Sequence, residues 1–147
     1  MIATSIKQLK NYLTLVESYF INASDNDIHY KESDSSWSKK EILGHLIDSG
    51  INNLQRFTEI QFETKPFSIR KYNQNSLVLA NDYQHADLLE LIGFWLSINK
   101  RIINLMTVQT EETLQFEIEI DDEYNNLSFL MKDYVVHMKH HINQIIE

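Results

Sequence analysis

Two histidines near the end of the chain, His137 and His141, are four residues apart in a segment with helical periodicity. Residues four apart in a helix lie on the same face, one turn above the other. Two neutral imidazoles in this arrangement can bind one divalent transition metal, and imidazole suits zinc, nickel, copper or iron. Because the same spacing also arises by chance, a third ligand is needed before the pair predicts a metal site.

His45 is the candidate third ligand and belongs to an earlier helix. That helix begins at a capping box, Ser38–Glu41, with Trp37 placed before it as part of a hydrophobic staple. His45 falls at the edge of the helix's apolar arc, together with Asn52 and Arg56. Three nitrogen ligands that leave metal positions open are typical of a catalytic site rather than a structural one. The alternative is three independent histidines at the edges of the core.

The elements that must position these histidines are predicted to be helices. Only three Gly and one Pro occur in 147 residues, which favours long uninterrupted helices. Apolar residues recur at helical spacing in four segments. These are Ser5 to about Asn22, Ser38 to about Phe62, about Gln84 to Met106, and Asn126 or Ser128 to the end. The expected fold is all-α: a single domain, residues 1–147, forming an up-and-down four-helix bundle with long irregular connections.

The connections between these helices carry weaker patterns. The polar run at residues 23–27 predicts a loop. Residues 67–82 have no strong period and predict a long, mostly irregular connection, which is uncommon in a compact domain unless it covers a functional site. Apolar residues alternate over 114–120, which indicates either a short extended segment or a loop with its apolar side inward. His85 is expected to be solvated.

Charge and composition exclude several classes of function. The net charge is -8, from 13 Lys and Arg against 21 Asp and Glu. Nucleic acid is therefore not an expected partner, because its binding requires a basic patch. The absence of Cys excludes disulfides, a catalytic thiol and Cys-ligated zinc. No apolar run could span a bilayer and no signal-peptide core is present, so we expect a cytoplasmic protein without a membrane partner.

Three stretches together resemble the DinB superfamily, and most closely its YfiT-like branch, a group assigned as metal-dependent hydrolases. They are Trp37–Ser49 with Arg56–Phe57, the connection Ile69–Asn75, and the terminal pattern of Tyr134, His137, His140, His141, Ile142 and Ile145. The resemblance spans nearly the whole chain. It implies a four-helix bundle, often a homodimer, with a nickel or zinc site ligated by the residues that match His45, His137 and His141.

The resemblance and the predicted site together suggest a function. We expect a metal-dependent hydrolase or a thiol-dependent S-transferase acting on a small molecule. The metal could lower the pKa of bound water from 15.7 to about 7, or hold the thiolate of a low-molecular-weight thiol, since relatives of the superfamily include thiol-dependent transferases. A non-catalytic stress-response bundle that keeps the metal is the alternative. Gly44, Lys71, Asn73 and Val136 depart from the branch's usual pattern, which leaves the substrate open.

Other residues near the predicted metal are candidates for binding substrate. Asn52 and Arg56 could orient a carboxylate or phosphate, Arg56 in a bidentate manner, and Tyr72 is a third candidate. The alternative for Arg56 is an ion pair with a nearby Glu. Asp48 and Asp133 could accept an N–H from a ligand histidine, although a solvated acid on the helix surface is the preferred interpretation of each.

The sequence also predicts which of the neighbouring residues His140 and His141 is the metal ligand. Both could pair with His137, at i+4 and i+3 respectively. The apolar arc of the last helix reaches His141 at its edge, and His140 is rotated by about 100° toward solvent. We therefore expect His141 to be a ligand and His140 to be a surface residue or an outer partner of the site. The arc consists of Leu127, Leu130, Met131, Tyr134, Val135, Met138, Ile142 and Ile145.

Overall fold

Four long helices make up the bundle in the computed structural model, which describes residues 2–147. They are α1 Ile2–Asn22, α3 Lys39–Glu59, α5 Leu88–Thr107 and α6 Leu127–Ile146. Two shorter helices, α2 Asp25–His29 and α4 Gln74–Asn81, lie in the connections. The predicted four-helix bundle is confirmed, and its core lies between the four long helices.

The order of neighbours in the bundle differs from a simple up-and-down arrangement, in which each helix packs beside the next in sequence. Helix α1 packs against α5 and α6, and α3 packs against the same two helices. Consequently α1 and α3 lie diagonally across the bundle although they are successive long helices. This order makes α3 and α6 neighbours, so the helix of His45 lies beside the helix of His137 and His141.

The starts of the two helices that carry the histidines are fixed by side-chain caps. The Ser38 hydroxyl accepts from the Glu41 backbone N–H at 3.1 Å, and the Glu41 carboxylate accepts from the Ser38 N–H at 3.0 Å. The predicted capping box is therefore confirmed. The Asn126 side chain accepts from the Phe129 N–H at 2.9 Å, which selects Asn126 over Ser128 as the cap of α6.

Three sequence-based expectations about the connections were wrong. Residues 67–82 are not mostly irregular, because they contain a two-residue strand, β1 Phe67–Ser68, and the helix α4, which Asn73 caps. Residues 23–27 are not only a loop, because Ser24 caps α2 there. The third long helix begins at Leu88 rather than near Gln84, because Tyr83–His85 form a separate 3-10 turn.

The alternating segment at 114–120 does include a strand, β2 Glu117–Ile120. It pairs in parallel with β1 and in antiparallel fashion with β3 Glu123–Asn126. The turn between β2 and β3 uses Asp121 and Asp122 at φ 51° and 64°, the left-handed conformations of a tight hairpin. The Ile69 N–H donates to the Glu119 carbonyl at 2.9 Å, so this small sheet holds residues 69–72 against the bundle.

Helix α6 has the rotation expected from its apolar arc. All eight predicted arc residues are buried in the core: Leu127, Leu130, Met131, Tyr134, Val135, Met138, Ile142 and Ile145. No helix within residues 2–147 has the length and hydrophobicity needed to span a membrane.

Candidate metal centre

Three histidines converge between α3 and α6, and we call them the His cluster: His45, His137 and His141. The Nε2 atom of His137 lies 3.3 Å from Nε2 of His45 and 3.1 Å from Nε2 of His141. One nitrogen from each ring lies within 4.8 Å of the other two. The structure therefore brings together all three histidines that the sequence selected, although His45 is 92 residues from His137.

The His cluster is largely shielded from water. His45 is 0% exposed and His141 is 9% exposed, while His137 is half-buried. The indole ring of Trp37 covers the cluster, with its centre 4.8 Å from the His45 ring and 6.3 Å from the His141 ring. The sequence predicts for Trp37 only a place in the hydrophobic staple at the start of α3. Its position next to the N-cap was the available signal that it could reach His45 two turns into the helix.

Burial keeps the three imidazoles neutral. Loss of hydration, with a smaller contribution from neighbouring imidazoles, lowers the pKa of His45 to about 3 and that of His137 to about 4. Burial also lowers the pKa of His141, while its hydrogen bond to Gln144 acts in the opposite direction. Neutral imidazole is the form that ligates a metal, so the protein maintains the ligand-competent state at neutral pH.

The nitrogen geometry fits a divalent metal. His141 Nδ1 lies 2.8 Å from the Gln144 side-chain oxygen, which can only accept, so Nδ1 carries the proton and Nε2 presents its lone pair to the cluster. A tetrahedral metal bound to nitrogen at 2.0–2.1 Å separates its ligands by about 3.3 Å. The two separations from His137, 3.1 and 3.3 Å, match this spacing, and the nitrogens of all three rings lie within 4.8 Å of one another.

His140 lies outside the cluster, as the rotation of α6 predicted. Its side chain is exposed, its ring centre is 5.0 Å from that of His141, and its Nε2 is 3.4 Å from Nε2 of Gln144. Gln144 was not selected from the sequence, although its position three residues after His141 places both on one helix face.

Asp48 does not accept a hydrogen bond from a ligand histidine, so that interpretation was wrong. Its Oδ1 accepts from the Tyr83 hydroxyl at 2.6 Å and from Asn81 at 3.4 Å, whereas Nδ1 of His45 has no partner among residues 2–147. The reason lies at Gly44, where a Cβ would fall 2.1 Å from the Tyr83 ring. The ring of Tyr83 therefore packs on the backbone of α3 and directs its hydroxyl to Asp48.

The pKa of the Asp48 carboxyl group is raised above its ordinary value. Burial raises the pKa of the carboxyl group, and the hydrogen bond from Tyr83 opposes that shift only in part. One carboxylate oxygen, Oδ2, is buried without a partner among residues 2–147. No sequence signal indicated Tyr83, because its contact with Asp48 joins residues that are 35 positions apart in the chain.

Two cavities adjoin one another beside the cluster. The inner chamber, about 170 Å³, is lined by His137, Asp133 and other residues of α3 and α6. The outer chamber, about 830 Å³, lies between α3, residues 67–73 and α4. Arg56, Lys71 and Tyr72 line both chambers, which places them at the junction. Among the candidates for binding substrate, Arg56 and Tyr72 are therefore next to the inner chamber, whereas Asn52 lines only the outer one.

The other candidate residues occupy different positions. Asp133 is exposed and lines the inner chamber with His137, but it has no hydrogen bond to an imidazole in the part of the chain that the structure describes. The Asn52 side chain donates to the Asp48 carbonyl at 2.8 Å. His85 is exposed, as expected, and pairs with Asp82.

Comparisons with known proteins identify the fold. No protein-family model and no functionally curated protein matches the sequence. The structure is similar to YfiT from Bacillus subtilis, described as a probable metal-dependent hydrolase with an unusual four-helix bundle topology. The TM-score is 0.88 at 22% identity, over 99% of this chain and 83% of YfiT. A DinB-like protein from the same organism, YjoA, gives a TM-score of 0.61 at 15% identity, over 97% and 88% of the chains. This chain therefore has the four-helix bundle fold of YfiT and DinB-like proteins, as the sequence resemblance implied.

Proposed function

We propose that this chain is a metal-dependent hydrolase acting on a small molecule, with its metal held by Nε2 of His45, His137 and His141. The observation that carries the proposal is the convergence of three imidazoles, two buried and one half-buried, with their nitrogens within 4.8 Å of one another and two separations of 3.1 and 3.3 Å. The description of YfiT, which shares the fold, as a probable metal-dependent hydrolase also supports it. Nickel and zinc both suit this donor set.

The residues around the His cluster would have different roles in such a site. A divalent metal bound there would lower the pKa of a coordinated water molecule to about 7. Trp37 and the core close one side of the His cluster, while the inner chamber leaves the His137 side open to a substrate. Asp133 is the one carboxylate among the described residues that line this chamber, so we assign it the role of proton acceptor.

A thiol-dependent S-transferase is a second candidate, favoured by the size of the outer chamber. A cavity of about 830 Å³ beside the inner chamber has room for a second small molecule, such as a low-molecular-weight thiol. In that reaction the thiol sulfur attacks the electrophile and the leaving group departs with a proton. The two functions differ in whether turnover requires an added thiol.

The experiment starts with metal analysis of protein prepared without a histidine tag. After reconstitution with nickel or zinc, we expect about one metal per chain, and the helical circular dichroism should be the same before and after chelation because the core is independent of the site. Zero bound metal would reject the site. Loaded and chelated protein are then compared on ester, amide and thiol-conjugation substrates. Turnover that chelation leaves unchanged would reject metal dependence, and bound metal without turnover would favour the non-catalytic alternative.

A further inference from the structure

Arg56 is a half-buried cation without an acidic partner at the junction of the two chambers. The expected alternative, an ion pair with a nearby Glu, is wrong: the ion pairs formed by residues 2–147 involve other side chains. Instead the guanidinium donates to the Arg70 carbonyl and, at 3.4 Å, to the Asn53 side-chain oxygen. Both acceptors are neutral, so no carboxylate among residues 2–147 pairs directly with Arg56.

The geometry of Arg56 leaves it ready to bind an anion. Its guanidinium lies over the ring of Tyr72, 5.4 Å from the ring centre, which fixes the plane of the group. Two of the five guanidinium N–H groups are used in the bonds to Arg70 and Asn53. The remaining donors are free for a ligand, and a carboxylate matches the planar donor fork of arginine.

The charge around the outer chamber is opposite to that of the whole protein. The chain carries 21 acidic and 13 basic residues, yet the chamber is lined by Arg56, Arg70 and Lys71 with Glu59 as the one acid among its described lining residues. Lys71 is already paired with Asp121. Arg56 and Arg70 therefore account for the positive potential there, and Arg56 is the one that also reaches the inner chamber.

We propose that the substrate is an elongated small molecule with a carboxylate group, which Arg56 binds at the junction while the reacting group enters the inner chamber beside His137. The inference rests on the proposed function, because it places the reacting group at the His cluster. A single guanidinium that forms no ion pair matches a single negative charge, which favours a carboxylate over a dianionic phosphate. The outer chamber accepts the rest of the molecule.

The test uses metal-loaded protein and probes that bind a metal through a hydroxamate. Succinic acid monohydroxamate carries a carboxylate at its far end, and its amide analogue has the same length without the charge. The glutaric homologues of both probes extend the reach by one methylene. By calorimetry we expect the better-fitting carboxylate probe to bind about tenfold more tightly than its amide analogue. The preference should decrease at high salt.

Variants assign the preference to Arg56. Arg56→Gln should abolish the preference, whereas Arg101→Gln, at an exposed arginine of α5, should preserve it. If Arg56→Gln does not fold, Arg56→Lys must still reduce the preference, because lysine lacks the planar fork. Equal binding of carboxylate and amide probes would overturn this inference and leave the proposed function intact. Failure of both probes to bind metal-loaded protein would instead count against an open metal site, and thus against the proposed function.

Discussion

Helix α6 takes part in two buried polar clusters that satisfy their polar atoms in different ways. In the first, the Tyr134 hydroxyl donates to the Asn99 side-chain oxygen at 2.6 Å, and the Asn99 amide donates to the Trp95 carbonyl at 2.9 Å. Each of these donors has an acceptor. One turn along α6, the His cluster instead places Nε2 atoms against each other at 3.1 and 3.3 Å.

From this difference we infer that the Tyr134–Asn99 cluster is structural and that the His cluster is suited to binding a ligand. A buried pair of matched donors and acceptors is complete and contributes to folding. The Nε2 atoms of the His cluster contact only one another, and Nδ1 of His45 has no partner among residues 2–147. The indole N–H of Trp95 is likewise unpartnered, but a single donor is not a ligand set. Substitutions in the two clusters should therefore affect different properties of the protein.

The largest effect is expected in the His cluster. His45→Ala and His141→Ala should each reduce bound metal from about one per chain to near zero, because two imidazoles leave the ligand set incomplete. His140→Ala is the matched control and should retain the metal, because its side chain lies outside the cluster. Metal analysis after reconstitution and dialysis measures the outcome. Loss of metal in His140→Ala but not in His141→Ala would show that the cluster is not the metal site.

In the Tyr134–Asn99 cluster the expected effect is on stability. Tyr134→Phe removes the donor to the Asn99 oxygen, which then remains buried without a partner, so the free energy of unfolding should decrease by about 1–3 kcal/mol. Bound metal should stay near one per chain. Denaturant unfolding and metal analysis of the same preparation test both parts. A variant with unchanged stability and lost metal would reverse the roles we assign to the two clusters.

The sequence predicted the His cluster because its information is local to two helices. Capping fixes where α3 begins, the apolar arc fixes the rotation of α6, and together they place His45 and His141 on facing sides. The diagonal order of α1 and α3 could not be read in this way, since it depends on how α2 and the connections cross the bundle. The contacts of Trp37 and Tyr83 also escaped prediction, because Trp37 lies outside any helix or strand and Tyr83 lies in a 3-10 turn too short to show periodicity.

Strand β1 and helix α4 were missed for a related reason. Two residues are too few to show strand periodicity, and β1 forms only by pairing with β2, about 50 residues later. Helix α4 has eight residues with one fully buried side chain, Val78, so it lacks an apolar stripe. Both elements contribute to the wall of the outer chamber. Because they were missed, the sequence identified Arg56 and Tyr72 as candidates but did not show that these residues lie at the junction of two chambers.

A smaller effect is expected at Gln144, which completes one hydrogen bond of the His cluster. Gln144→Ala removes the acceptor that holds Nδ1–H of His141 in place, and metal affinity should decrease by about tenfold. This is the low end of the usual range because Gln144 is exposed. Gln144→Glu retains an acceptor and should preserve or increase the affinity. Competition with a chromophoric chelator measures the change, and equal affinity in Gln144→Ala and wild type would exclude an orienting role.

The smallest effect is expected from pH between 6 and 8. A metal competes with protons for imidazole nitrogen, and an ordinary histidine pKa near 6.5 would make affinity rise across this range. Burial moves the competition to lower pH, because the pKa of His45 is about 3, that of His137 is about 4, and that of His141 is also lowered. Since His45 and His137 are already neutral at pH 6, we expect metal affinity to change little up to pH 8.

Acidification should then weaken both metal binding and folding. Affinity should fall as the pH approaches the pKa values of the cluster, below about pH 5. The metal-free protein should lose stability over a wider window, because the unfolded chain takes up protons on these histidines from pH 6.5 downward while the folded chain does not until about pH 4 to 3. Chelator competition and denaturant unfolding from pH 4 to 8 measure the two profiles. A steep rise of metal affinity between pH 6 and 8 would mean that water reaches the imidazoles. The His cluster would then not be shielded from water in the way that the Tyr134–Asn99 cluster is.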